Sequence, residues 1–381
     1  MVQLSIEDVF SRLRRFPDVE AQNLHAHDAT DRLLIKKAFE LEGIEENKIA
    51  IIGDRYGALT LALAAAGHTG LRTSQDLASG QQALAFNAGR LGLNGTFTSL
   101  ALGEELLKNA KLVLLQLPRS LAELEEIADA IARYAAPDAI LIAGGRVKHM
   151  TPAMNQVLAK YFKTVQAQLA QQKSRLLIAQ TPLPVPETKQ FPFTEHHSDL
   201  DLTVAAYGAV FAGNKLDIGT RFLVDFLPKM APAQHIIDLG CGTGVLAAMV
   251  ARRQPKAHVI ATDQSAAAVA SAQATMEANN LADRVECIQA DAMEGFPPQS
   301  ADLILLNPPF HLGASVHAGA ATKLFDASSK VLVPGGELWT VFNTHLDYVK
   351  ELERKIGATR VVGRNNKFTV TVSRQRSHKE N

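Results

Sequence analysis

The sequence predicts an α/β chain of two tandem, doubly wound domains, the first a degenerate copy of the second, and three observations lead there. The first is a strand, a turn and a helix in immediate succession. His235-Ile-Ile-Asp-Leu239 is apolar but for its acid, Gly240-Cys-Gly-Thr-Gly244 is a glycine turn, and Val245-Leu-Ala-Ala-Met-Val-Ala251 has helical period. That is the pattern of a buried parallel strand feeding a helix N-terminus. The second is a repeat. Lys48-Ile-Ala-Ile-Ile-Gly53-Asp-Arg-Tyr-Gly57 overlays the motif at an offset of 187 residues, with Gly53 on Gly240, Gly57 on Gly244 and, further on, Asp76 on Asp263. Self-similarity at constant spacing marks a duplicated unit. The third is Thr181-Pro-Leu-Pro-Val-Pro-Glu-Thr-Lys-Gln-Phe-Pro-Phe193, whose alternating prolines suit a stiff, extended spacer. Residues 1–180 are therefore expected to form the first domain, 181–193 the linker and 194–381 the second domain.

Taken in order, the opening residues read as amphipathic helix, most clearly Asp28–Phe39. His25 and His27 lack the further ligands a metal would need and read as surface residues. Lys111–Leu117, ahead of Pro118-Arg119-Ser120, is a strand, as is Ala139–Gly145; Pro152–Gln172 reads as helical and Ser174–Ala179 as a strand. In the second domain His196 and His197 read as an exposed loop pair, Thr203–Val210 as a strand and Ile218–Leu227 as a helix stopped by Pro228. His258–Asp263 is a strand ending in a carboxylate. Ser265 caps a helix over Ala266–Asn279. Val285–Asp291 is a third strand with an acid at its end, and Ala301–Leu306 runs into Asn307-Pro308-Pro309-Phe310. Val331–Phe342 and Lys367–Val372 close the sheet around a helix at Leu346–Ile356, with Trp339 and Tyr348 in the core.

Open α/β sheets bind ligands beyond the carboxyl ends of their strands, where an acid accepts hydrogen bonds from ribose hydroxyls. Gly240, Gly242 and Gly244 let the backbone approach a ligand where a Cβ would collide, and Asp263 stands at the ribose position. The spacing is G-x-G-x-G after Asp238, not the dinucleotide pattern G-x-G-x-x-G. Pro308 and Pro309 fix φ and remove two N–H donors. The Asn307 amide oxygen and the Pro308 carbonyl are then left to accept from one NH₂ group, and Phe310 to stack on its ring. Holding both hydrogens of a poorly nucleophilic exocyclic amine turns its lone pair toward an incoming methyl group. Positioning then provides most of the rate.

The two motifs together resemble the amino-methyltransferases that use S-adenosyl-L-methionine. More narrowly, the chain resembles the RsmC/RlmG family of bacterial ribosomal RNA guanine-N2 methyltransferases, closely over Thr203–Ser373 and more loosely before it. The carrying residues are Leu216–Phe222, Asp238–Gly244, Asn307–His311, Gly335–Leu338, Asn343–Tyr348 and Asn365–Phe368, the last three being more similar to the large-subunit member. The resemblance implies two Rossmann-like methyltransferase domains, the N-terminal one non-catalytic. It implies transfer to the N2 amine of a guanine in ribosomal RNA, of the large subunit by the closer match. Asp238, Gly240, Cys241, Gly242, Gly244, Asp263, Asp291 and Asn307 would hold the cofactor, with Asp291 near the adenine amine, and Asn307, Pro308, Pro309 and Phe310 would carry the chemistry. His311 would at most position the substrate. The chain departs from the family where Phe211-Ala-Gly-Asn-Lys-Leu-Asp217 replaces Phe-Ser-Arg-x-Gly-Leu-Asp, with Lys215 as the nearby cation. A 16S rRNA guanine, a DNA adenine or a protein amide as acceptor also fits the motif, and a non-catalytic RNA-binding factor is a reading of another class. The intact Asp238, Asp263 and Asn307 argue against that last reading.

In the first half the chemical groups are lost. Asp238 falls on Ile51, Gly242 on Arg55, Asn307 on Leu117 and Phe310 on Ser120 after a three-residue slip. That half is expected to bind RNA or orient the substrate, through Arg119, Arg146, Lys148 and His149. Lys+Arg and Asp+Glu are equal at 39 each, so no overall basic field draws nucleic acid in. Local patches must, such as the C-terminal Lys350, Arg354, Lys355, Arg360, Arg364, Lys367, Arg374, Arg376 and Lys379; the plain alternative is a solvated tail. Cys241 and Cys287 make neither a disulfide framework nor a zinc site and read as inert packing. No signal peptide or membrane-length apolar span is expected. The expectation is a cytoplasmic, monomeric, metal-free enzyme with ribosomal RNA as partner.

Overall fold

The computed structural model describes residues 4–41, 43, 45–308 and 314–377, and the side chains of all these except 314–318. The chain separates into two compact units, Met1–Phe191 and Pro192–Asn381. In the first the elements run α1 (Ile6–Arg12), α2 (Ala29–Phe39), β1 (Ile49–Ile52), α3 (Ala58–Ala65), β2 (Leu71–Ser74), α4 (Ala78–Leu91), β3 (Phe97–Ser99), α5 (Glu104–Leu107), β4 (Leu112–Gln116), α6 (Leu121–Tyr134), β5 (Ile140–Arg146), α7 (Pro152–Ala159), β6 (Phe162–Ala167) and β7 (Ser174–Pro182). The second opens with a hairpin, β8 (Phe193–His197) and β9 (Leu202–Ala206). It continues through α8 (Ile218–Val224), β10 (His235–Leu239), α9 (Val245–Arg253), β11 (His258–Asp263), α10 (Ala266–Ala278), β12 (Val285–Gln289), β13 (Ala301–Leu306), α11 (Ala314–Val331), β14 (Leu332–Asn343), α12 (Val349–Lys355), β15 (Thr359–Arg364) and β16 (Phe368–Arg374).

The described residues of each unit form a seven-stranded sheet, ordered β3-β2-β1-β4-β5-β7-β6 in the first and β12-β11-β10-β13-β14-β16-β15 in the second. The permutation is the same, so the repeat read from glycine spacing extends to the whole sheet. In each, five strands run parallel and the last two join antiparallel. Strand order reverses between β1 and β4, and between β10 and β13, and such a switch opens a crevice at the carboxyl ends.

The central strands are continuous apolar runs because helices cover both faces. Ile236, Leu303 and Leu305 pack into one core, and Ile237, Leu239, Ile304 and Leu306 into the other. The first unit divides in the same way, Ile49, Ile51, Leu112 and Leu114 against Ala50, Ile52, Val113 and Leu115. Trp339 and Tyr348 are buried, as expected.

Several elements differ from the sequence reading. Residues 152–172 are not one helix: α7 ends at Ala159 and β6 follows. His196 and His197 lie on a strand, paired with Thr203 and Leu202, and the His197 ring bonds the Asn214 carbonyl. Thr203–Val210 gives a strand only as far as Ala206, and α8 stops at Val224, before a separate 3₁₀ turn at Leu227–Lys229. The opening stretch holds two short helices with irregular chain between them. His27 is not a free surface group, because it stacks on Phe10 at 4.7 Å. β3, α4, α5, α6, α11 and β15 have no counterpart in the sequence reading.

Candidate active site

The carboxyl ends of β10, β11 and β13 bring the expected residues of the second unit together. Leu239 pairs with Thr262 on one side and Leu306 on the other, so the glycine turn, Asp263 and Asn307 leave three adjacent strands at one level. Gly240, Gly242 and Gly244 have φ of 71°, 53° and 78°, a left-handed run that side chains resist. Their reasons differ. A Cβ on Gly240 or Gly242 would meet nothing within 4 Å, so these two face open space that a ligand can take. A Cβ on Gly244 would lie 2.9 Å from Met276 Cε and 3.0 Å from Ala272 Cβ. Gly244 thus lets α9 pack against α10.

Two carboxylates hold this turn. Asp238 is 1% exposed, and its Oδ2 accepts from Ala247 N at 2.9 Å in the first turn of α9, while Oδ1 is buried without a partner among the described residues. Burial, with Asp263 nearby, pushes its pKa up to about 7. Asp263 accepts from Gly242 N at 3.1 Å and from Ser265 N at 3.0 Å, tying the glycine turn to the start of α10. Burial pushes the Cys241 thiol well up, so it stays protonated and inert, and Cys287 is likewise raised to about 11. Asp291, just past β12, has its Oδ2 on Lys323 Nζ of α11. The two residues after it, Ala292 and Met293, have φ of 49° and 58°, a strained bend at the rim of the crevice.

Asn307 turns its side chain to the start of α8. Its Nδ2 donates to Asp217 Oδ2 at 2.8 Å and to Thr220 Oγ1 at 2.9 Å. Its Oδ1 is buried with no donor among the described residues. Asp217 also caps α8, accepting from Thr220 N at 2.8 Å. A Cβ on Gly219 would stand 3.1 Å from Asp217 Oδ2 and 3.4 Å from Asn307 Oδ1, so the absence of a side chain lets helix and strand end meet. Pro308 is buried. Pro309, Phe310 and His311 lie outside the described residues. Sequence reasoning named Asp217, Gly219 and Thr220 only as part of a matching stretch; their contact with Asn307 carried no local signal.

The first unit fills the equivalent ground. A Cβ on Gly53 would meet Gln116 Cβ at 3.3 Å, where Gly240 has open space, and the exposed Arg55 replaces Gly242. The carboxylate is not lost, as the alignment implied, but moved. Asp54, three residues past Ile51, accepts from Leu59 N at 3.1 Å and Thr60 N at 2.8 Å, and Thr60 overlays Ala247. Gln116 donates to Asp31, whose pKa burial and Asp54 push up to about 7. Arg119 bonds His149 at 3.4 Å and Arg146 pairs with Asp28 at 3.5 Å. Of the C-terminal cations, Lys355 pairs with Asp326, and Arg374 and Arg376 donate to backbone carbonyls of their own unit; Lys379 lies outside the described residues.

Residues 1–183 match a family model described as the RLMG N-terminal domain, and residues 201–372 one described as the methyltransferase small domain. The chain is 34% identical to a ribosomal RNA large subunit methyltransferase G of Streptomyces avermitilis, covering 94% of this chain and 95% of that protein. It is 32% identical to the protein of the same name from Psychromonas ingrahamii, covering 96% and 97%. Among solved structures it is similar to a T. thermophilus 16S rRNA N2 methyltransferase (RsmC) in complex with AdoMet and guanosine. The TM-score is 0.76 at 21% identity, over 98% of this chain and 100% of that one, a likeness of fold.

Proposed function

Since this chain belongs to the ribosomal RNA large subunit methyltransferase G family, we propose that it moves the methyl group of S-adenosyl-L-methionine to the exocyclic N2 amine of a guanine in large-subunit ribosomal RNA. The observation that carries this reading is the Asn307 amide, whose nitrogen is held by α8 and whose buried oxygen has no donor among the described residues. A buried acceptor without a partner costs about 1–3 kcal/mol, a cost offset when an amine hydrogen arrives.

The donor set fits the cofactor. Gly240 and Gly242 leave the room, the α9 N-terminus offers backbone N–H groups to polar ligand atoms, and Asp263 ends β11 at the position that receives ribose hydroxyls. When bound, the cofactor supplies a methyl group on a sulfonium leaving group. The chain supplies position: Asn307 Oδ1 and the Pro308 carbonyl accept the amine hydrogens and aim its lone pair, and the released proton passes to solvent. The target guanine must leave its stack to reach them. No described helix is long and apolar enough to cross a membrane.

The test is transfer of labelled methyl to naked large-subunit rRNA, small-subunit rRNA, DNA and total protein, with the modified base mapped by mass spectrometry. Label on N2 of a large-subunit guanine is expected; label elsewhere, or none, refutes the reading. Asn307→Ala should cut the turnover rate by about 100-fold or more while cofactor affinity holds. Asp263→Ala should weaken cofactor binding first, and equal loss of affinity in both variants contradicts these separate roles.

A further inference from the structure

We infer that Asp217 and Thr220 are the positioning residues that set the polarity of the Asn307 amide, and so restrict the site to a base that presents an NH₂ group. This rests on the methyl-transfer reading above. The two ends of an amide differ only in what they bond, and here the surroundings decide. Asp217 Oδ2 already accepts from Thr220 N at 2.8 Å and takes Asn307 Nδ2 at the same distance. Rotating the amide by half a turn would set its oxygen against that carboxylate oxygen. The bond to Asp217 is charge-assisted and stronger than a neutral one, and Thr220 Oγ1 at 2.9 Å adds a second acceptor for the same NH₂.

The free end of Asn307 is therefore an oxygen, an acceptor only. A base edge carrying NH₂ meets it with a donor, whereas a carbonyl edge meets it oxygen to oxygen. Discrimination of this kind works by leaving the wrong partner's polar group unpaired. The three residues belong to the first turn of α8 and the end of β13, elements that meet because Gly219 has no Cβ to hold them apart.

The test uses the full-length protein. In Asn307→Asp the new carboxylate faces Asp217 Oδ2, which already accepts from Thr220 N, and the turnover rate should fall by about 100-fold with the cofactor's affinity retained. In Asp217→Asn an amide oxygen in the place of Oδ2 still accepts from Thr220 N and Asn307 Nδ2 but without the charge, and the turnover rate should fall by about tenfold. Asp217→Ala removes that acceptor and should cost about 100-fold. Equal turnover in Asp217→Ala and Asp217→Asn, or turnover equal to the parent in both, overturns the inference.

A second pair guards against a collapse of α8. Thr220→Val removes one acceptor but keeps the backbone cap, and should cost about tenfold in turnover at unchanged melting temperature; Thr220→Ser should restore it. Loss in both alike, or in neither, counts against the proposal. If the parent enzyme itself moves no methyl group to rRNA, it is the functional reading that falls.

Discussion

At the scale of single residues, the three glycines of the turn make unlike demands that their common spacing hides. Gly240→Ala meets only the left-handed backbone, a cost of about 1–2 kcal/mol, but intrudes on ligand space. Gly244→Ala has the same backbone problem with φ of 78° and also presses on Ala272 and Met276, adding about 1–3 kcal/mol of overpacking. Urea unfolding should rank Gly244→Ala well below Gly240→Ala in stability. Cofactor titration should reverse the order, with Gly240→Ala the weaker binder. Equal stabilities, or unchanged affinity in Gly240→Ala, would refute the division. The positions of Asp238, Asp263 and Asn307 were legible in sequence because each ends or borders an apolar strand. The orientation of Asn307 was not, since its partners lie 90 and 87 residues away and announce themselves only as an N-cap and a small residue.

At the scale of elements, what the sequence hid was the antiparallel edge of each sheet. β6 and β15 form that edge, opposite β3 and β12, and their side chains are mostly exposed or half-buried. An edge strand that meets solvent lacks the alternation that betrays a half-buried one, so β6 was absorbed into a helix and β15 passed unseen. Helix starts, by contrast, repeat between the units. An amide at a strand end donates to the start of the helix that leads into the sheet's central strand in both, Gln116 to Asp31 of α2 ahead of β1 and Asn307 to Asp217 and Thr220 at α8 ahead of β10. In the first unit this leaves Asp31 and Asp54 buried together, and burial raises both pKa values from 3.8, that of Asp31 to about 7. Such a group keeps its proton in the folded chain after the unfolded chain has lost it. Its contribution to stability is thus full below the unfolded value and is lost as pH rises through the folded one. Asp54→Asn keeps an oxygen for Leu59 N and Thr60 N and removes the charge. Its stability relative to the parent should improve as pH rises above the ordinary carboxylate range, read from urea midpoints. A difference that does not change with pH would show that the Asp54 carboxyl is not held protonated by burial.

At the scale of the whole molecule, the duplication was legible because the positions that survive are those the fold needs. Gly57 and Gly244 are both left-handed N-caps, with φ of 86° and 78°, and a Cβ on either would strike the next helix, Leu84 in one unit and Ala272 in the other. Positions that only a ligand needs have drifted: Arg55 stands for Gly242, and Gln116 crowds Gly53. In the first unit Asp54 makes the bond to the helix N-terminus and Gln116 spends its amide on Asp31. With Arg55 in place of a glycine and Gln116 against Gly53, one cofactor per chain should bind. Calorimetric titration of the full-length protein with S-adenosylhomocysteine checks this: stoichiometry near one is expected, and Asp263→Ala should lower the affinity of that single site. Two binding events, or one that is indifferent to Asp263→Ala, would place a working cofactor site in the first unit and overturn its reading as non-catalytic. Gln116→Ala removes the side-chain amide but keeps the Cβ against Gly53 and leaves Arg55 and Leu117 in place, so that variant should still bind one equivalent.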